Sequence, residues 1–181
     1  MTVRLDMRRA AGRAARALGD SAEAVKDFLR GSLTEDGGFA GRDGRSDLYY
    51  TSFGLEASLV LEGDVFYDHI AAYLDGFGAG QSLDLVHLSC LVRCWANLAD
   101  QVGQALDLPF RQAAADRLTR FRTGNGGYNI VLGANSGSVY GGAGRALRKH
   151  LTTLPMNSPR PRQGQMISLD IIRVFGTHAE P

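Results

Sequence analysis

The feature that most constrains this chain is a recurring punctuation by glycine. Gly37-Gly38-Phe39, Gly76-Phe77 and Gly126-Gly127-Tyr128 each lie in a polar, glycine-bearing loop. The first two lead into stretches in which apolar residues recur every three or four positions, and the third leads through a Gly/Asn loop into Ser138-Val139-Tyr140. Glycine makes up 23 of the 181 residues, against a usual share of about 7%. Breaks this frequent exclude long helices and favour short ones that reverse tightly, because a positive φ is cheap only for glycine. Each unit therefore reads as loop, helix, turn, helix. The aromatic residue after the glycine is placed to plug the gap between neighbouring helix pairs. Units of this kind stack, since none buries its apolar face alone.

The periodicity between breaks predicts an all-α fold. Val3 to Leu29 is helical in pattern and is divided by Gly19-Asp20-Ser21, with Asp20 or Ser21 as the second helix's cap. Ser46 or Asp47 caps the next helix, which runs through Tyr50, Phe53, Leu55, Leu59 and Leu61 to Gly63. A shorter helix follows from about Val65 to Leu74. Leu83 to Leu98 is the most apolar, with Leu85, Leu88, Leu91, Trp95 and Leu98 on one broad face. Pro109 suits the first turn of a helix ending near Phe121. No strand-like alternation is sustained.

Composition narrows the function classes. Net charge is +1, which gives no global attraction toward nucleic acid or a charged surface. No apolar run is long enough to span a membrane. Cys90 and Cys94 are four apart on a helical stretch, where a disulfide would be strained, so both are expected as reduced thiols of a cytoplasmic protein. The Arg- and Ala-rich segment Met1 to Asp20 carries Asp6 and no serine, unlike a transit peptide.

The first unit is the most specific. Asp36-Gly37-Gly38-Phe39, Gly41-Arg42 and Ser46-Asp47-Leu48-Tyr49-Tyr50-Thr51 together resemble the prenyltransferase and squalene-oxidase repeat. The resemblance spans about Phe28 to Tyr140 in three imperfect units. It implies a partial αα-toroid similar to protein prenyltransferase β subunits, with an aromatic-lined cavity for an isoprenoid or other apolar ligand. Tyr49, Tyr50, Phe53, Trp95, Tyr128 and Tyr140 are the candidate cavity-lining residues. The same residues also suit helix packing.

The resemblance further implies a zinc ion that activates a substrate thiolate. Asp47 falls on the family's Asp ligand and His87 on its His ligand, but Tyr49 stands where the Cys belongs. A phenol substitutes poorly for a thiolate, and a catalytic zinc site needs about three protein ligands. Cys90 and Cys94, at i+3 and i+7 from His87, are the remaining thiols that could complete the set. The Asp-rich acid motif of the cyclase branch is absent. Arg42 and Arg45 in the first glycine loop could meet a diphosphate, although loop arginines are ordinarily solvated.

Residues 1–140 are thus read as toroid repeats and 141–181 as a divergent, flexible basic tail. Gly141, Gly142 and Gly144 disfavour a helix start. Four of the five prolines lie in the tail, including Pro159-Arg160-Pro161-Arg162. Three units are fewer than a closed ring needs, which reads as truncation. Two functions follow: an isoprenoid-handling transferase by resemblance, its activity set against Tyr49 at the Cys position, or a non-catalytic helical-repeat module that binds a protein partner or its own copies.

Overall fold

The structure, a computed structural model, describes residues 12, 13, 17–62, 66–101 and 106–153. Among the described residues six named helices follow one another: α1 (Ser21–Ser32), α2 (Leu48–Val60), α3 (Tyr67–Asp75), α4 (Leu85–Gln101), α5 (Leu108–Thr119) and α6 (Gly141–Thr153). Among the described residues there is no strand, only three isolated backbone bridges in the loops. The all-α expectation holds. The stretch before residue 12, Gly63 and everything after 153 lie outside the described residues.

The helices pack as successive pairs. α1 lies on α2, α3 on α4 and α5 on α6, while α2, α4 and α6 lie side by side in that order. α4 is the centre of the molecule. It is apolar around most of its circumference, and Leu85, Leu88, Leu91, Val92, Cys94, Trp95, Ala96, Leu98 and Ala99 are all buried. Each fully buried Leu contributes about 1.5–3 kcal/mol relative to exposure. Phe39, Leu55, Ile70, Leu74, Leu118, Phe121, Tyr128 and Leu147 complete the same core from the other elements.

The first and third glycine loops are built alike, bond for bond. In the first, Thr34 N–H donates to the Gly38 carbonyl (2.8 Å) and Gly37 N–H to Thr34 (3.0 Å). In the third, Thr123 N–H donates to Gly127 (3.0 Å) and Gly126 N–H to Thr123 (2.9 Å). Asp36 and Asn125 each take a hydroxyl from that threonine and an N–H from the second glycine. Gly37 has φ +90 and Gly126 φ +80, which is why a glycine stands at each. The chain then pairs Leu33 with Phe39, and Arg122 with Tyr128. Both aromatic rings end buried, as the plugging role requires.

The second loop differs. Gly78 (φ +51) and Gly80 (φ +78) make the turns, with no bridge, and Leu88 closes on Gly80. Phe77 is only partly buried and stacks edge-to-face on Tyr73, with centroids 5.1 Å apart.

Two expectations change. Asp20 precedes α1, but its side chain makes no capping bond. The boundary at residue 140 does not mark a break in packing, because residues 141–153 form α6 on α4 and α5, with Leu147 and Leu151 buried. Gly144 of α6 serves close approach. A Cβ at Gly144 would stand less than 3.0 Å from the Tyr128 ring, so only glycine lets the helix reach that ring. This outweighs the cost of about 1 kcal/mol for a helical glycine.

Candidate functional site

Asp47 sits at the start of α2 in extended conformation. Its Oδ1 accepts the N–H groups of Tyr49 (2.8 Å) and Tyr50 (3.0 Å). It thus satisfies two of the donors that every helix start leaves open. Asp84 does the same for α4. Its Oδ1 accepts His87 N–H at 2.8 Å and also lies 2.9 Å from His87 Nδ1. Burial pushes the Asp84 carboxyl up, but the His87 backbone and ring together hold it below the usual carboxylate range.

A carboxylate on one ring nitrogen is how many zinc-bound histidines are oriented. The donor set around His87 does not extend that far. Among the described residues, no three His, Cys, Asp or Glu side chains gather so as to hold a metal ion. Cys90 and Cys94 are free and buried in α4. Burial pushes both thiols up, although the Ser52 hydroxyl beside Cys90 works against this. They are core thiols, poorly suited to ligate as thiolates. The residues present do not fit the three-ligand zinc site that the sequence resemblance implied.

The six aromatic candidates separate into groups. Tyr49, Tyr50 and Phe53 come together on the exposed side of α2, each roughly half exposed. Tyr49 meets Tyr50 edge-to-face at 5.9 Å and Phe53 at 4.9 Å. Trp95 is buried and packs edge-to-face on Phe110 (6.5 Å). Tyr128 is buried against Gly144. Tyr140 is exposed just before α6. Trp95 and Tyr128 are therefore buried in the helix packing, apart from the exposed α2 group.

Polar groups frame the α2 cluster. Arg42 Nε donates to the Tyr50 hydroxyl at 3.2 Å. The Arg93 guanidinium lies over the Phe53 ring, 5.3 Å from its centroid, a cation–π arrangement. Arg93 also forms a two-pronged pair with Glu56, at 3.2 and 2.6 Å, and Asn97 Nδ2 donates to the same carboxylate at 3.3 Å. Burial disfavours the Arg93 charge, but Glu56 more than restores it. Sequence reading passed over Glu56, Arg93 and Asn97. Their signal was Arg93 and Asn97, four apart in the otherwise apolar α4 stretch, together with Glu56, the one acid of the α2 stretch.

No family model, no curated protein and no solved structure matches this chain.

Proposed function

We propose that this chain is a prenyltransferase-like helix-pair repeat protein, a partial αα-toroid, acting as a binding module without zinc-dependent transfer chemistry. The observation that carries this reading is the use made of Asp47 and His87. The carboxylate at the family's first ligand position closes on its own helix start, and the imidazole is held by Asp84, with no group of three metal-holding side chains among the described residues. The succession of helix pairs and the matched glycine loops support the repeat reading.

Binding falls to the α2 surface. Tyr49, Tyr50 and Phe53 offer rigid aromatic area at low entropic cost, the kind of group that anchors protein contacts. Half exposure in one patch favours a protein segment or a second copy of the chain over an enclosed lipid. An isoprenoid-handling role is the second reading. Its support is Arg42 and Arg93 beside the cluster, which could meet a diphosphate.

Three measurements on the purified chain test this. Zinc content should fall well below one equivalent. Calorimetry with farnesyl diphosphate should give no binding heat. Light scattering should show concentration-dependent association that weakens in the double variant Tyr49→Ser, Phe53→Ser. One equivalent of zinc that is lost in His87→Ala would overturn the reading in favour of the transferase.

A further inference from the structure

The charge of this chain is unevenly spread. Of its 19 acids, all but Asp170 and Glu180 lie at or before Asp116. The stretch between Asp116 and Asp170 carries no acid, yet its described part holds Arg117, Arg120, Arg122, Arg145, Arg148 and Lys149. Arg117 is occupied inside, donating to the Leu83 carbonyl at 2.7 Å and lying over the Phe121 ring. The other five are exposed.

Within this acid-free stretch lies the long loop between Tyr128 and Gly141. Its base is tied by Ser138 N–H to the Tyr128 carbonyl (3.0 Å) and by Asn129 Nδ2 to the Ser136 carbonyl (2.9 Å). Asn129 Oδ1 also accepts Val131 N–H at 3.0 Å. Beyond that base the loop presents Ile130, Val131 and Leu132 to solvent, with Val131 61% exposed. Val139, at 93%, is exposed as the chain returns. Arg122 bridges to Tyr128 at the loop base, Arg120 ends α5, and the Arg145 guanidinium lies where a Cβ at Gly141 would be 3.7 Å from it.

We propose that this loop is a membrane-surface anchor that recognises a bilayer rich in anionic lipid. Ile130, Val131, Leu132 and Val139 enter the boundary between headgroups and acyl chains, and Arg120, Arg122 and Arg145 meet the headgroups. Aliphatic side chains held outward gain by leaving water. A negative leaflet draws basic residues to it, and no acid in the stretch opposes that attraction. At such an interface the buried apolar area and the attraction to anionic lipid add to one another. Nucleic acid fits less well, because bases are held by aromatic stacking and the tip is aliphatic.

The test is co-sedimentation of the full chain with phosphatidylcholine vesicles, with and without about one third phosphatidylserine. Binding is expected to the anionic vesicles, falling as salt is raised. The double variant Val131→Ser, Leu132→Ser should bind at least about tenfold more weakly, since two aliphatic side chains lose their burial. Arg122→Gln should lose about fivefold. Thermal unfolding should be unchanged in both variants, because the substituted groups are exposed. Absence of binding to anionic vesicles, or undiminished binding by the serine variant, overturns the proposal. So does equally tight binding to duplex DNA that ignores the serine substitutions, since that would identify a general polyanion surface.

Discussion

The ring of Phe39 lies so close to Gly54 that a Cβ there would stand less than 3.0 Å from the ring carbons, and Tyr128 repeats the arrangement on Gly144. Each ring leaves its glycine loop and docks on the following helix, α2 or α6. The prediction is that Gly54→Ala and Gly144→Ala both destabilise. Alanine recovers up to about 1 kcal/mol of helix propensity, but forcing a buried ring aside costs about 1–3 kcal/mol. Urea denaturation should show lower midpoints for both variants. A rise in either midpoint would mean that the ring has room to move.

Asp47 is predicted to be a stability residue before anything else. Asp47→Ala leaves the Tyr49 and Tyr50 N–H groups without their acceptor and should cost about 1 kcal/mol. Asp47→Asn or Asp47→Ser keeps a capping oxygen and should recover most of that loss. Chemical denaturation of the three variants checks this. Equal destabilisation by all three would mean that the charge, not the cap, is what α2 requires.

How far the sequence could be read depended on the kind of interaction. The α4 core was legible because a run from Leu85 to Leu98 that is apolar on most faces can only be buried. The Asp47 cap was legible because Asp precedes the apolar run by one residue. α6 was not, because propensity prices Gly141, Gly142 and Gly144 against solvent and cannot see the Tyr128 ring that needs Gly144 bare. The division of the aromatic candidates between core and surface was hidden for a related reason. Spacing places Trp95 and Tyr49 on helices but does not say that one faces Phe110 and the other solvent. The equivalence of the first and third loops lay in Thr-x-Asp-Gly-Gly and Thr-x-Asn-Gly-Gly, a match hidden by reading the glycines without the threonines.

Stability should fall on acidification through Asp36 and Asp84. Burial pushes the Asp36 carboxyl up, but the hydroxyls of Ser46 and Thr34 and the Gly38 N–H outweigh it and hold it below the ordinary value of 3.8. Asp84 is lowered in the same sense by His87. With the folded-state values depressed, the unfolded chain binds more protons in this window. The contribution is therefore complete above about pH 4 and is lost as pH falls through the folded values. Urea midpoints should drop as pH falls below about 4, and the Asp36→Asn variant should show a shallower drop. An unchanged slope in that variant would remove Asp36 from the explanation.

The two thiols should be nearly silent in the folded protein. Cys90 and Cys94 face the packing of α4, and burial pushes both away from the thiolate form. Since the thiolate is the reactive species, a disulfide-exchange reagent at mild alkaline pH should label neither at an appreciable rate. Both should label at once in denaturant. Because access requires α4 to open, the native rate should be at least about a hundredfold slower and should track stability across the Gly54 and Gly144 variants. Cys94, the more deeply buried of the two, should be the slower. Rapid labelling of Cys94 in the native protein would show that α2 and α6 do not enclose α4 in solution.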